Sequence, residues 1–319
     1  EVFLMGKTVF GTIVATAILA ATPVLAQTVG LGSTTRGGTS QIGKSISAVI
    51  SEVSKLQMRP QEMANTADYM PLVNAGQIEF GIANAVQTWF AYNGKGMSEG
   101  KPMKNLRIAS VLMPFRAGWI VPRNSGITSM KGMKGKRMPV FKAGTLGDHV
   151  LKAFLANAGM TYDDVIPVPV PNFPRMWNSF KQGTTDGTLV VVGSKTNREM
   201  DATVKGGVQF ISFDANKLDV MQKWMPGMEL FNAKPSPKLP GVLSDVNVMM
   251  YDYLFFANDK TSDAQVYEAV KALYNSEAKL LASGPFWKGF TGKRMANRAD
   301  LPFHPGAIKF FKEVGIWKE

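Results

Sequence analysis

The sequence predicts an α/β protein made of two similar, doubly wound lobes. Apolar strands alternate with helical patterns in both halves of the chain, which is typical of mainly parallel sheets covered by helices on both faces. The halves also share a local signature, because residues 76–81 and 183–187 each close a short helix with glycine and lead through an acidic residue into an apolar strand. Finally, about 290 residues remain after an N-terminal leader, more than one core usually serves.

The first half begins with a short strand at residues 28–31 and a turn-rich loop. Thr39 or Ser40 is expected to cap the helix that follows. The apolar residues of this helix recur at helical spacing and are Ile42, Ile46, Val49, Ile50 and Val53. Asp68 is expected to cap a second, short helix, and a buried strand follows at residues 79–83.

The second half repeats this order of elements. The pattern predicts a strand at 137–141, a glycine-containing loop at 143–147, a helix at 148–158, a strand at 165–170, a short helix begun by Asn172 and Pro174, and a strand at 188–192. This repetition indicates that the two lobes have similar folds.

Two apolar segments are expected to cross between the lobes. Residues 106–122 read as two strands separated by a turn at 114–116, and residues 246–257 read as a returning strand. A long helix is predicted at 262–283. The two crossings would act as a hinge, and the carboxyl ends of the strands in both lobes would surround a ligand cleft.

These crossings set the expected boundaries of the lobes. Lobe I comprises residues 27–121 and 246–319 and is therefore discontinuous, whereas lobe II is the continuous segment 122–245.

The N-terminal segment is expected to be a secretory signal peptide. Lys7 supplies a positive charge, residues 9–21 form an uncharged apolar run, and small residues at 24–26 suit cleavage before Gln27. The apolar run is short for a bilayer-spanning helix, which needs about 20 residues. Residues 1–4 precede Met5, the expected initiating methionine, and are interpreted as extra residues ahead of the signal peptide. The mature protein is therefore expected in the periplasm, a compartment that does not supply ATP or NAD.

The composition is that of a folded globular protein, with 45% hydrophobic and 19% charged residues. The absence of cysteine rules out disulfides and thiolate chemistry. The formal net charge of +12 is spread along the chain without the aromatic platform of a single-strand binder, so a nucleic-acid partner is not expected. The positive charge weakly favours a small anionic ligand.

The chain contains a possible nucleotide-binding motif and two histidines, but neither has the sequence context that a nucleotide or metal site requires. Residues 38–45 fit the P-loop pattern, but Ile42 and Ile46 belong to the buried stripe, so the helix begins too early for Lys44 to face a phosphate. His149 and His304 have no cysteine or glutamate at metal-ligand spacing. The chain is therefore expected to use no metal and no cofactor and not to be an enzyme.

The loops after the strands supply the candidate ligand-binding residues. Helix N-termini there carry free N–H groups and a partial positive charge that suit a carboxylate, which we expect between Thr145 and Arg116. Trp89, Trp177 and Lys195 are weaker candidates, with core packing an equal alternative for the tryptophans. The ten candidate residues are Arg36, Gly38, Thr39, Asn84, Gln87, Arg116, Gly144, Thr145, Phe173 and Ser194.

Several segments across the mature chain resemble one known family. They are residues 30–32 and 37–39, 74–82, 91–94, 133–137 and 301–307. Through them the chain is similar to the TAXI-type solute-binding proteins, the extracytoplasmic receptors of tripartite ATP-independent periplasmic (TRAP) transporters. The resemblance implies a periplasmic-binding-protein-like fold of type II. Residues 65–67 and 143–147 depart from the family pattern, which puts the ligand in doubt.

The expected function is that of a periplasmic solute receptor that acts as a monomer. It would capture a small organic anion, and the resemblance suggests a dicarboxylate, a keto acid or an acidic amino acid. The resemblance also supplies the partner, the integral-membrane permease subunits of a TRAP transporter. The alternatives are an exported enzyme built on a binding-protein fold and a surface interaction protein without a tight small ligand.

Overall fold

A computed structural model of the chain describes residues 27–297 and 299–318, so the expected signal peptide lies outside the described residues. The strands are β1 (Gln27–Thr34), β2 (Leu56–Met63), β3 (Phe80–Asn84), β4 (Leu106–Pro122), β5 (Arg137–Val140), β6 (Ile166–Pro169), β7 (Thr188–Val191), β8 (Val208–Ile211), β9 (Glu229–Ala233) and β10 (Val246–Asn258). The α-helices are α1 (Gly37–Val53), α2 (Thr66–Asn74), α3 (Ala85–Asn93), α4 (Leu146–Asn157), α5 (Phe173–Lys181), α6 (Lys195–Thr203), α7 (Leu218–Gln222), α8 (Asp263–Tyr274), α9 (Glu277–Ala282) and α10 (Pro305–Glu313).

Eight of these strands form one mixed sheet. Its order is β2-β1-β3-β10-β4-β7, with β8 also paired to β4 and β9 to β10. β1 runs parallel to β2 and β3, whereas β10 runs antiparallel to β3, β4 and β9. β5 and β6 form a separate parallel pair. The predicted alternation of strands and helices is therefore confirmed in both halves of the chain.

The two long strands β4 and β10 connect the halves of the sheet. One edge of β10 pairs with β3 over Tyr253–Ala257 and with β9 over Val246–Met250, which leaves Tyr251 and Asp252 facing a gap between those strands. The second half of β4 pairs with β7 and β8. The two segments that were expected to cross between the lobes thus form the long strands β4 and β10.

The turn predicted at residues 114–116 is wrong, because β4 runs through it. Pro114, Phe115 and Arg116 pair with consecutive residues of β10, and the irregularity appears instead as a register shift between Asp252 and Leu254. A proline is tolerated in a strand at such irregular positions, because the missing N–H does not interrupt a regular ladder there.

Two further elements differ from the expectation. Residues 56–63, which were given no structure, form β2 at the edge of the sheet. The long helix predicted at 262–283 is divided into α8 and α9 at Asn275 and Ser276. Asparagine and serine compete with helical hydrogen bonds through their own side chains, so this dipeptide is a natural place for the break.

The sheet is covered on both faces. The helices α1 and α4 pack on the face that carries Phe80, Ile82 and Phe255, and we call it the α1 face. Phe115, Tyr251 and Tyr253 also lie on this face, and their rings contact one another. Because successive residues of a strand point to opposite sides, Arg116, Met250 and Asp252 lie on the opposite face.

Among the described residues, none of the helices combines the length and the hydrophobicity that a bilayer-spanning segment requires.

Candidate functional site

Four helices begin just after strands of the two sheets, and such strand-to-helix junctions are natural ligand contacts in an α/β fold. In the first half, α1 follows β1 and α3 follows β3. In the second half, α4 follows β5 with a short loop between them and α6 follows β7. All the predicted site residues except Arg116 and Phe173 lie at these four junctions.

The N-terminus of α1 is open to a ligand. Its N-cap residue, Arg36, is exposed and makes no side-chain hydrogen bond to the helix, and no acidic residue occurs in the first turn. Gly37 has a φ of 82°, which favours glycine. The free N–H groups and the positive end of the helix dipole are therefore not neutralised from within the helix.

The cap predicted at Thr39 or Ser40 is wrong, because the N-cap of α1 is Arg36, three residues before Thr39. Thr39 instead lies in the first turn with its Oγ1 3.4 Å from the hydroxyl oxygen of Tyr253. Ser40 donates to Glu62, 3.3 Å away, and Glu62 is in turn paired with Lys44. Thr39 is thus left beside the crossing strands, and its hydroxyl stays a candidate ligand contact.

Three aromatic rings of the crossing strands lie beside this helix end. Phe115 stacks on Tyr251 with ring centroids 5.1 Å apart and meets Tyr253 edge-on at 5.9 Å. A side chain at Gly38 would come within 3.1 Å of the ring of Phe286, so an aromatic ring from the C-terminal segment also borders the helix end. We call Phe115, Tyr251, Tyr253 and Phe286 the aromatic wall. Sequence reasoning missed it because Phe115 was expected in a turn, the two tyrosines lie in an apolar run typical of core, and Phe286 lies outside every predicted element.

The N-terminus of α4 already carries a carboxylate of its own. Asp148 is almost completely buried and accepts a hydrogen bond from the backbone N–H of Gly144 at 2.9 Å. It also pairs with Lys152 at 3.0 Å. The Thr145 hydroxyl is engaged as well, since it donates to the carbonyl of Lys142 at 2.8 Å and caps the helix. This end therefore has less capacity for an external anion than the end of α1.

The N-cap side chains of α3 and α6 are hydrogen-bonded within their own helices. Asn84 accepts from the N–H of Gln87 at 2.8 Å, and its amide donates to the Gln87 side chain at 2.6 Å, so these two candidates satisfy each other. Ser194 accepts from the N–H of Asn197 at 3.1 Å. As ligand contacts, all three stay predictions.

Arg116 was expected in a loop, and that placement is wrong because it lies inside β4 on the opposite face of the sheet. Its guanidinium carbon is 3.8 Å from the ring centre of Phe231, and its Nε is buried without a hydrogen-bond partner. Burial lowers the pKa of Arg116, and Arg294 adds to this effect. No hydrogen bond, ion pair or ring contact among the described residues joins Arg116 to Thr145.

Phe173 belongs to an aromatic cluster at the start of α5. Its ring lies 4.9 Å from that of Phe141 and 6.4 Å from that of Trp177. The indole N–H of Trp177 donates to the carbonyl of Leu189 at 2.9 Å. Trp177 is thus fixed by β7, whereas the half-buried Phe173 stays a predicted ligand contact.

A cavity of about 300 Å³ lies beyond the end of β3, at the gap in the sheet. It is lined by Ala85, Val111, Gln222, Pro226, Gly227, Met228, Glu229, Met250, Tyr251, Asp252, Leu254, Ala299, Asp300 and Leu301. The lining comes from α3, both crossing strands, β9 and the C-terminal segment, so it draws on both halves of the chain. Sequence reasoning missed Asp252, although a lone carboxylate within the apolar run 246–257 was a usable signal.

Asp252 is the least exposed charged residue in the lining of this cavity. Its carboxylate accepts from a guanidinium nitrogen of Arg294 at 2.7 Å. Burial raises the pKa of Asp252, and the ion pair with Arg294 opposes that shift. The Nε of Arg294 is buried without a partner. The crossing strands therefore carry polar groups on both faces at the level of the gap.

The structure shows where the lysine of the P-loop-like motif and His304 lie. Lys44 lies in the second turn of α1 and is exposed, so it cannot take the place of a P-loop lysine. His304 caps α10 by accepting from the N–H of Gly306 at 3.2 Å, the structural role expected for it. Within residues 27–297 and 299–318, no group of three or more metal-ligating side chains is clustered.

The order of strands and helices defines a class of protein, the α/β proteins with a periplasmic-binding-protein-like fold. The chain belongs to the NMT1-like family, whose model matches residues 31–315.

Solved structures agree with this fold. A TctC solute-binding protein from Polaromonas, without ligand, has a TM-score of 0.56 at 12% identity over 83% of this chain and 90% of its own. PhnD1 from Prochlorococcus marinus in complex with methylphosphonate has a TM-score of 0.55 at 11% identity over 91% and 99%. XAC2383 from Xanthomonas citri bound to chloride has a TM-score of 0.53 at 11% identity over 91% and 97%.

These likenesses confirm the predicted α/β, periplasmic-binding-protein-like fold class. At such low identity they concern the fold alone. The match to the NMT1-like family does not specify the TAXI type that the sequence resembles, a ligand class or a TRAP partner.

Proposed function

We propose that the protein is a periplasmic solute receptor, not an enzyme, that captures a small organic acid and delivers it to the permease subunits of a TRAP-type transporter. The observation that carries the binding role is the open N-terminus of α1 beside the aromatic wall. There, free N–H groups and the hydroxyls of Thr39 and Tyr253 meet without any carboxylate in the first turn of the helix.

The electrostatics favour α1 over α4 as the holder of the carboxylate. A helix N-terminus carries roughly half a positive charge, which an internal carboxylate can neutralise. Asp148 does this for α4, whereas the first turn of α1 has no acidic residue. The proposal therefore moves the carboxylate from Thr145 and Arg116, where the sequence placed it, to Thr39 and Tyr253.

The two crossing strands suit a hinge. β4 and β10 are shared by strands of both halves, and the cavity lies at the gap between those halves. We propose lobe boundaries at 27–121 with 246–319 and at 122–245, closing around the solute. An N-terminal signal peptide ending at residue 26 would place the protein in the periplasm.

A thermal-shift screen tests the binding role. Organic acids and their uncharged amides are compared on the purified protein, and a solute at a hundred times its Kd should stabilise it by about 2.7 kcal/mol. Shifts are expected with the acids and not with the amides. Shifts with the amides alone would remove the carboxylate from the proposal.

Two single-atom variants test the location of the carboxylate. Thr39→Val and Tyr253→Phe each remove one hydroxyl, and each should weaken the binding of an acid found in the screen by about tenfold, as expected for a hydrogen bond to a charged group. Tyr92→Phe is the matched control, because Tyr92 lies on α3, away from α1, and its ring contacts Lys104. Equal binding by all three variants would contradict the location.

The runner-up is an exported enzyme on the same fold. Incubation of the protein with each acid that binds, followed by mass spectrometry of the solute, separates the two roles. A receptor returns the acid chemically unchanged, and any turnover would favour the enzyme.

A further inference from the structure

A line of aromatic side chains joins the two halves of the chain away from the crossing strands. Phe90 of α3, in the first half, contacts His149 of α4, in the second half, with ring centroids 4.9 Å apart. The imidazole ring also lies 6.2 Å from the ring of Trp224, which follows α7. On the other side, Phe90 meets Trp89 edge-on at 5.6 Å. We call Trp89, Phe90, His149 and Trp224 the aromatic bridge.

Phe90 is held firmly on the side of the first half. Its side chain is only 4% exposed. A Cβ at Gly96 would lie 2.6 Å from its ring, so the loop after α3 packs on the ring closely because residue 96 has no side chain. Separation of the two halves would remove the imidazole from this ring and expose apolar surface to water, which costs free energy. The contact therefore favours the arrangement in which the halves lie together.

His149 is held on the side of the second half. Its Nδ1 lies 3.2 Å from the carbonyl oxygen of Trp224, so the Nδ1–H group donates to that oxygen. The ring is half-buried between Trp224 and Phe90. This placement fixes the imidazole against α3 and makes its protonation state matter for the contact between the halves.

The surroundings of His149 favour the neutral imidazole. Burial lowers its pKa, whereas Asp148 and the hydrogen bond to Trp224 raise it and Lys152 lowers it. Asp148 is a weak counter-charge, because its carboxylate already accepts hydrogen bonds from Lys152 at 3.0 Å and from the hydroxyl of Tyr162 at 3.2 Å. A proton on the imidazole is therefore accommodated better in water than in the bridge.

The first half presents no carboxylate to the imidazole within the bridge. α3 contacts it through the uncharged ring of Phe90, and the charged group next along the bridge is Lys95, 5.8 Å from the ring centre of Trp89. Closing the halves therefore removes solvent from His149 without supplying a new negative charge.

From these contacts we propose that Phe90 and His149 are positioning residues of closure, a latch that holds the halves together while the imidazole is neutral and opens when it is protonated. This inference rests on the proposed hinge closure and adds the residues that control it. The latch holds above the ordinary imidazole pKa of about 6.5 and weakens as the pH falls through this value. A solute held by closure is therefore bound more weakly in acid.

Distance measurements between two spin labels test the latch without any solute. The chain has no cysteine, so Lys101→Cys and Asn216→Cys place one label on an exposed residue of each half. Open and closed forms give a longer and a shorter distance in pulsed electron resonance. We expect the share of the shorter distance to fall when the pH is lowered from about 8 to about 5.5, because this range spans imidazole titration.

Variants in the labelled protein assign this response. Phe90→Ala should lower the ratio of the shorter to the longer distance at about pH 8 by about two- to tenfold, the effect of one aromatic pair. His149→Phe keeps an aromatic pair but takes up no proton, so its ratio should be the same at both pH values. His304→Asn is the matched control, because His304 caps α10 and asparagine is a good N-cap residue. It should respond to pH as the parent does.

Circular dichroism checks that each variant is folded at both pH values. A ratio that does not change with pH in the parent overturns the inference, as does a pH response retained by His149→Phe or lost by His304→Asn. An unchanged ratio in Phe90→Ala also overturns it. None of these results touches the receptor function, which the thermal-shift screen tests at constant pH. If that screen shows no shift while the labels respond as expected, the acid receptor is overturned and the latch is retained.

Discussion

Trp119→Ala is expected to lower the free energy of unfolding by about 3–5 kcal/mol, the range for deleting a large buried aromatic side chain. Trp119 is fully buried in β4, at the residue that pairs with Leu189 of β7 and with Ile211 of β8. Its ring meets Phe154 of α4 edge-on at 6.3 Å. The indole therefore ties the second half of a crossing strand to two neighbouring strands and to a covering helix.

Trp119→Phe is the matched control for this prediction. The indole N–H is buried without a hydrogen-bond partner, so phenylalanine loses volume but no hydrogen bond. Its cost should be clearly smaller, about 1–2 kcal/mol. Urea unfolding monitored by circular dichroism measures both values. A cost below about 1 kcal/mol for Trp119→Ala would contradict the central place of this residue in the core.

Gly38→Asp is expected to abolish binding of an organic acid while leaving the folded protein intact. The substitution places a carboxylate in the first turn of α1, where it would occupy the free N–H groups and repel the solute. The loss should be about a hundredfold or more, because a favourable contact is replaced by a like charge. Without ligand, the new carboxylate should stabilise the helix by about 0.3–1 kcal/mol.

Gly38→Asn separates charge from size in this experiment. Both side chains have the same shape, and Gly38 has no positive φ, so the backbone accepts either. The side chain would approach the ring of Phe286 in both variants, and steric effects on binding should therefore be equal. Titration of both variants with the same acid gives the comparison. Equal losses would show that size alone blocks the site and would remove the carboxylate from the end of α1.

Much of the fold could be predicted from the sequence because hydrophobic periodicity decides it locally. The apolar residues that recur from Ile42 to Val53 predicted α1, and the apolar run 246–257 predicted β10. The failures occurred where long-range contacts override local signals. Residues 114–116 look like a turn in isolation, but pairing with β10 holds them extended.

The sequence predicted which strand-to-helix junctions carry the candidate residues, but it did not predict the contacts that these residues make. Gly38, Thr39 and Asn84 lie at strand-to-helix junctions, as expected. Arg116 was placed wrongly, because residues 114–116 look like a turn locally, whereas pairing with β10 holds them in a strand. The residues that line the cavity come from distant segments of the chain, so they share no sequence pattern.

The central claim is that two lobes joined by β4 and β10 close around a small solute, and small-angle X-ray scattering tests it most directly. Hinge closure is the expected motion for a cleft between two halves connected by shared strands. The radius of gyration is measured for the protein alone and with a saturating acid whose binding calorimetry has established. The account predicts a smaller radius in the bound state. An unchanged or larger radius with proven saturation would contradict capture by closure.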